Sequence, residues 1–277
     1  MNATSEELKK LVKEKYGEIA TQTSPTNSCG INGCCGTDYT QFSDDYSHLE
    51  GYNPDADLSL GCGIPTEFAR IKSGDTVIDL GSGTGNDCFV ARALVGDTGK
   101  VIGIDMTDAM IQKARENVAK LGYINVEFRL GDIEKMPVTA NKADVIISNC
   151  VLNLVPDKEK AFQEIFRVLK PGGHFSVSDI VLDGELPLNL KSAAEMYAGC
   201  VSGAIQMEDY LDIIENAGFK NIDIQKMKVI KIPDEILQNY LSSTDLEKFR
   251  QSETGIMSIT VFAQKPAEMC CSGNCNC

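Results

Sequence analysis

An α/β architecture is what this chain predicts: a doubly wound, mostly parallel seven-stranded sheet with a smaller C-terminal cap region. Three observations lead there. Short apolar runs alternate with amphipathic helical stretches from Thr76 to Val181. The runs are compact enough to be covered on both faces, as in parallel sheets. A glycine-rich turn, "GSGTG", joins the first run to the first helix of the series.

The elements follow in order. "TVIDL" is a strand, and "NDCFVARALVG" a helix expected to turn Phe89, Val90, Ala93 and Leu94 inward. "KVIGID" is the second strand. The helix after it is capped by Thr107 or Asp108 and stopped by Gly122. "NVEFRL" and "ADVIIS" are strands three and four. "DKEKAFQEIFRVLKPGG" is a helix expected to end at Pro171-Gly172-Gly173, and "HFSVSDI" the fifth strand. The stretch 186–219 is helical with a break near Gly199 and Gly203. "NIDIQKMKVIKI" and, after an amphipathic helical segment, "IMSITVFAQK" are both strand-like. Ahead of the series, residues 1–20 form a charged amphipathic helix with Leu8, Leu11, Val12, Tyr16 and Ile19 on one stripe, and 21–65 is irregular.

Composition removes several classes of partner. The chain has 277 residues and a formal net charge of −14, so no basic stripe exists to meet nucleic acid or an anionic membrane. The N-terminus lacks the apolar core of a signal peptide and no stretch reaches transmembrane length, which predicts a cytoplasmic protein with reduced thiols. Eleven cysteines is an odd number, too sparse for a disulfide scaffold. They cluster at Cys29, Cys34 and Cys35 and again in the tail "CCSGNCNC". Thiols in such a setting point to soft-metal or metalloid chemistry, or to small buried apolar residues.

The glycine loop carries the most information. The first strand ends in Asp79, and Gly81, Ser82, Gly83 and Gly85 lead into a helix. Glycines there let backbone approach a ligand whose polar end meets the helix N-terminus. Asp105 ends the second strand where a carboxylate reaches a ribose diol, followed by Met106. Asp132, followed by Ile133, ends the third strand where an adenine amino group needs an acceptor. The G-x-G-x-G spacing differs from that of pyrophosphate cofactors. It fits a nucleoside without phosphates, commonly S-adenosylmethionine. Together these residues resemble the class I S-adenosylmethionine-dependent methyltransferases. Met106 and Ile133 are then expected to sandwich the adenine, with core packing as the plain alternative.

Three cysteines have expected places around the donor's sulfonium: Cys150 after the fourth strand beside Asn149, Cys62 in "SLGCGIP", and Cys200 in "YAGCVSGA". Cys34 and Cys35 lie further out, and Cys88 reads as inert core. A soft, neutral, trivalent acceptor suits several thiolates. Arsenic(III) bound by three of them keeps a lone pair pointing away, able to attack a methyl in line. "VIDLGSGTGNDCFVARALVGDTGKVIGIDMT", "ISNCVLNLVPDK", "LGCGIP" and "AGCVSGA" are similar to the arsenite S-adenosylmethionine methyltransferases over about residues 50–220. The resemblance implies that Cys62, Cys150 and Cys200 hold As(III), that a fourth functional cysteine is Cys34 or Cys35, and that a disulfide formed with Cys62 keeps the product trivalent. Glutathione or thioredoxin would then restore the thiols.

The implied organisation is an N-terminal helix and lid at 1–65, an S-adenosylmethionine-binding domain at 66–183, arsenic-site helices and a cap with the last strands at 184–265, and a flexible cysteine-rich tail at 266–277. Expected partners are a small metalloid substrate and a thioredoxin-type reductant, with no nucleic acid, no membrane and a monomeric chain. Two other readings compete. One is a carbon- or oxygen-methyltransferase acting on a quinone-like or sterol-like ring. The other is a thiol-rich protein that binds soft metals through its terminal clusters.

Overall fold

The computed structural model describes residues 4–21, 43–187, 189, 203–232, 234–252 and 254–267. Cys34, Cys35, Cys200, the expected helix break at Gly199 and the cysteines of the tail lie outside them. Seven strands form one sheet: β1 Thr76–Leu80, β2 Lys100–Asp105, β3 Val126–Leu130, β4 Ala143–Asn149, β5 Leu169–Asp183, β6 Lys220–Ile230 and β7 Gly255–Gln264. Their order is β3-β2-β1-β4-β5-β7-β6. The first five run parallel, and β7 pairs antiparallel with both β5 and β6.

Alternation along each strand feeds two apolar layers. Val77, Val101, Val145 and Ile147 pack on one face, against α3 (Asn86–Val95) and α4 (Asp108–Leu121). Ile78, Ile102 and Ile146 pack on the other, under α5 (Lys158–Val168) and α6 (Met207–Asn216). That two-residue period, with apolar residues in both phases, is why these strands read as continuous hydrophobic runs. The order reverses between β1 and β4, which opens a crevice at their carboxyl ends, the usual ligand position in such sheets. Gly122 ends α4 in the left-handed conformation, φ +70°, as its stop signal requires.

Three expectations need correction. In α3 the buried stripe runs through Cys88, Ala91 and Val95, at helical spacing, which turns Leu94 outward. Helix α5 stops at Val168, not at Pro171-Gly172-Gly173. Leu169 already pairs with Ala143, and Lys170, preceding a proline, disfavours helix. Thus β5 begins five residues before the expected His174.

The N-terminal helix α1 (Ser5–Thr21) forms, but Leu8 and Leu11 are exposed; Val12, Tyr16 and Ile19 are half-buried and Ala20 is buried. It packs on α4. The strands at 220–230 and 255–264 complete the seven-stranded sheet, with β7 antiparallel to its neighbours. A short α2 (Pro65–Phe68) precedes β1. Between β6 and β7 lie α7 (Asp234–Leu237) and α8 (Ser243–Gln251). Among the described residues no helix is long and apolar enough to cross a membrane.

Candidate active site

The crevice at the β1/β4 switch is a cavity with two distinct walls. One wall is contiguous in sequence. Asp79, Gly81, Ser82 and Gly83 line it from the β1–α3 turn, Asp105 and Met106 from the end of β2, and Gly131, Asp132 and Ile133 from the end of β3. Gly81, Gly83 and Gly85 all have positive φ, at +66°, +51° and +103°. At Gly81 the need is steric as well, because an added Cβ would lie 2.4 Å from a methyl of Val151. Gly85 faces the core instead, against the rings of Phe128 and Phe89, and starts α3.

The carboxylates on this wall are already partly engaged by backbone. Asp105 accepts from the N–H groups of Gly83, at 3.0 Å, and Thr107, at 2.7 Å. Burial raises its pKa against the pull of those bonds. Asp132 accepts from the Glu134 N–H at 2.9 Å and from Lys9 Nζ at 2.7 Å. Lys9, Val12 and Tyr16 of α1 line the cavity too, so the N-terminal helix forms part of its rim. Sequence reasoning missed this, since nothing local ties residue 9 to residue 132.

The residues fit an adenosyl ligand. Ser82 Oγ and Asn86 Oδ1 are buried without a hydrogen-bond partner, and both residues line the cavity. Buried polar atoms in that condition cost about 1–3 kcal/mol unless a ligand satisfies them. The glycine cradle leaves the room a bound group needs.

The other wall is assembled from distant segments. Cys150 follows β4 at the cavity with φ +60°, a left-handed conformation that costs a non-glycine residue about 1 kcal/mol or more. Its N–H donates to Ser178 O at 2.7 Å. Cys62 sits just behind this wall, and both cysteines are buried in one apolar cluster with Ile180, Leu182 and Ala204. The backbone of Cys62 is clamped on both sides. Its N–H donates to Asn149 Oδ1 at 3.0 Å, and its C=O accepts from Ser258 Oγ at 2.6 Å. The flanking glycines of "LGCGIP" are explained by the same approach. An added Cβ would come within 2.4 Å of Asn149 Nδ2 at Gly61, and within 2.6 Å of Ser178 Oγ at Gly63.

Asn149 is more than a neighbour of the acceptor. Its two Nδ2 protons are shared among three acceptors, Gly63 O (2.9 Å), Tyr46 Oη (2.8 Å) and Asp87 Oδ2 (3.2 Å). Tyr46 in turn donates to Asp87 Oδ1 at 2.8 Å. Beneath the Cys150 loop lies a second buried network. Tyr210 Oη donates to Asp179 Oδ2 at 3.0 Å, and Lys158 Nζ donates to the carbonyls of Asn153 and Val155 at 3.0 and 3.1 Å. Burial pushes Asp179 up to about 7, opposed by Lys158 and by N–H groups that include that of Asn153. Burial and Asp179, then Cys62 and Cys150, push Tyr210 well above its ordinary range, so the phenol feels both thiols.

Tyr46, Asp87 and Asp179 were not singled out from sequence. Asp179, a charge inside the apolar run "SVSDIV", was the legible signal. Cys88, read as inert, is buried, donates to Asp79 Oδ2 at 3.2 Å, and is pushed up by burial. Among the described residues no three His, Cys, Asp or Glu side chains are grouped as round a metal ion.

Comparison with known proteins bears on this geometry. A family profile described as a methyltransferase domain matches residues 71–218. The arsenite methyltransferase of Halobacterium salinarum is 41% identical over 95% of this chain and 68% of its own length. The crystal structure of an arsenic(III) S-adenosylmethionine methyltransferase from Chlamydomonas reinhardtii superposes with a TM-score of 0.63 at 34% identity, covering 76% of this chain and 68% of that one. The chain spans between 54% and 69% of the length of the arsenite methyltransferases it matches. A ubiquinone/menaquinone biosynthesis C-methyltransferase from an Enterobacter strain is 40% identical, but over only 40% of this chain. The likeness to the arsenite methyltransferase extends over nearly the whole chain, and the chain belongs to the arsenite methyltransferase family, on a class I methyltransferase fold.

Proposed function

We propose that this protein transfers methyl groups from S-adenosylmethionine to trivalent arsenic, both arsenite and its methylated forms, held by the thiolates of Cys62, Cys150 and Cys200. The observation that carries the reading is the burial of Cys62 and Cys150 in one cluster, behind and at the wall of a cavity whose other side is the glycine loop. A further observation supports Cys200. An added Cβ at Gly203 would lie 1.8 Å from the carbonyl oxygen of Asn153, so the chain meets the Cys150 loop three residues after Cys200.

Bound S-adenosylmethionine supplies an electrophilic methyl on a sulfonium. The chain's own residues do the rest. Gly81 and Gly83 would let backbone approach the nucleoside, Asp105 and Asp132 would accept from its sugar and base, and Met106 and Ile133 would flank the ring; all of these residues line the cavity. Each thiol that displaces a hydroxyl from arsenous acid gives its proton to the departing water, so no general base is required. Cys150 and Cys62 then hold the arsenic lone pair toward the methyl. Bringing reacting atoms to about 3–3.5 Å turns a bimolecular step into an intramolecular one. Methyl transfer formally oxidises arsenic by two electrons. Oxidation of Cys62 together with Cys34 or Cys35 from two thiols to a disulfide would return those two electrons to arsenic, and a thiol reductant such as glutathione or thioredoxin would reduce the disulfide again. The cytosol, where such reductants are kept, is the compartment this implies.

Each methyl replaces one thiolate bond. Cys62→Ser should therefore abolish methylation of arsenite while sparing that of monomethylated arsenite, measured by arsenic speciation after incubation with S-adenosylmethionine and thiol. Equal activity of the variant on both substrates, or no methylated arsenic from the unaltered protein, would refute the assignment.

A further inference from the structure

Two buried carboxylates line the cofactor cavity, Asp79 and Asp87, and among the described residues neither is in an ion pair. Burial, reinforced by the charge of Asp87, drives Asp79 well above the usual carboxylate range, and burial raises Asp87 to about 6. A site that buries two acids with no protein cation is electrostatically incomplete. Its complement would be a positive charge on the ligand.

What distinguishes Asp87 is where its hydrogen bonds lead. Its two oxygens take one donor each, Tyr46 Oη and Asn149 Nδ2. Those same two side chains hold the backbone around Cys62. Asn149 Nδ2 donates to Gly63 O at 2.9 Å, Asn149 Oδ1 accepts from the Cys62 N–H, and the Tyr46 hydroxyl, its one proton given to Asp87, packs 3.0 Å from the same Gly63 oxygen. Asp87 stands in the first turn of α3, immediately after the glycine loop. One carboxylate thus joins the cofactor wall to both sides of a metalloid-binding thiol.

We propose that Asp87 is a positioning residue through which the positive charge of the donor, and not its adenosyl body, readies Cys62 for arsenic. This rests on the function proposed above and deepens it. Hydrogen bonds to an ionised carboxylate are roughly twice as strong as neutral ones. A cationic ligand holds Asp87 ionised and tightens both donors, which fixes the Cys62 segment. After transfer the donor has become a neutral thioether, the carboxylate loses its counter-charge, and the segment loosens. By reciprocity arsenic then favours the donor over the spent product by the same factor. The site would read whether a methyl is present before it commits arsenic to the pocket.

The test measures arsenite affinity of the full-length reduced protein by equilibrium dialysis, with arsenic quantified by mass spectrometry. Two unreactive probes are compared: sinefungin, which carries an amine in place of the sulfonium, and S-adenosylhomocysteine, which is neutral there. In the unaltered protein sinefungin should tighten arsenite about tenfold, and S-adenosylhomocysteine less than about twofold. Asp87→Asn, nearly identical in shape, should respond equally to both probes. Tyr46→Phe keeps the carboxylate but removes one of its two donors, so it should reduce the difference between the two probes. Equal tightening by the two probes, or a full difference retained in both variants, overturns the proposal. Failure of arsenite or of either probe to bind by itself would instead strike the function on which the proposal rests.

Discussion

The two walls of the cavity are built in opposite ways. The cofactor wall comes from one stretch, residues 79–133, in which each functional position lies at the end of a strand or in the short turn after it. The acceptor wall joins Cys62 ahead of β1, Cys150 after β4, Ser178 in β5 and Ser258 in β7. The first needs only glycines and strand ends. The second exists only once the whole sheet is assembled. The walls should therefore be separable by mutation.

The strongest separation is expected at Cys150. Cys150→Ser keeps the shape of the loop and removes the soft ligand. Arsenite methylation should fall by at least about 100-fold, because arsenic is no longer held at reacting distance. The affinity for S-adenosylmethionine, measured by calorimetry, should stay within about twofold, because the glycine loop and the aspartates are untouched. A comparable loss of cofactor affinity would show that the two walls are one unit.

That contrast also explains what could be read from the chain before folding. The parallel strands declared themselves as apolar runs, and "GSGTG" with Asp105 and Asp132 located the cofactor wall, because those signals are local. "LGCGIP" was visible, but the reason for its two glycines was not. Asn149 and Ser178, which press against them, belong to other strands. Tyr46 and Asp87 were silent for the same reason, since their partnership spans 41 residues. Leu94 misled because an apolar residue beside a helical stripe looks like part of it. The end of α5 misled because "LKPGG" carries a stop signal that tertiary pairing of Leu169 pre-empts.

A middle-sized effect is expected in the support of the acceptor wall. Asp179 lies under the Cys150 loop with Tyr210, the Asn153 and Ile180 N–H groups and Lys158 around it, and Cys62 and Cys150 on the far side of the phenol. Its folded pKa of about 7 exceeds the unfolded value of about 3.9. The folded state therefore holds more protons between those values. Its stabilising share is complete below about pH 4 and is lost as pH rises through about 7, at up to about 1.4 kcal/mol per pH unit. In Asp179→Asn the decline in stability over that window should flatten by up to this slope, measured by urea unfolding at pH 5, 6 and 7. An unchanged slope would mean that the carboxyl is ionised throughout.

The smallest effect tests whether the cofactor wall is as local as its sequence suggests. Lys9 reaches from α1 to Asp132 and to Glu134, both at 2.7 Å, and Lys13 pairs with Asp108 at 2.8 Å. The Lys13 pair is exposed and contributes little. The Lys9 contacts differ, since Glu134 is buried and needs a counter-charge. With Lys9 removed, α1 has lost its main tie to the rim, and the cavity opens beside the base-binding position. Lys9→Ala should weaken S-adenosylmethionine by roughly threefold to tenfold, an effect of about 1 kcal/mol, while arsenite affinity in the absence of cofactor is unchanged. If the cofactor instead binds more tightly, Lys9 competes for Asp132 and α1 acts as a barrier. If arsenite affinity falls with it, a contact 123 residues long in sequence serves both walls, and the division drawn between them is wrong at that edge.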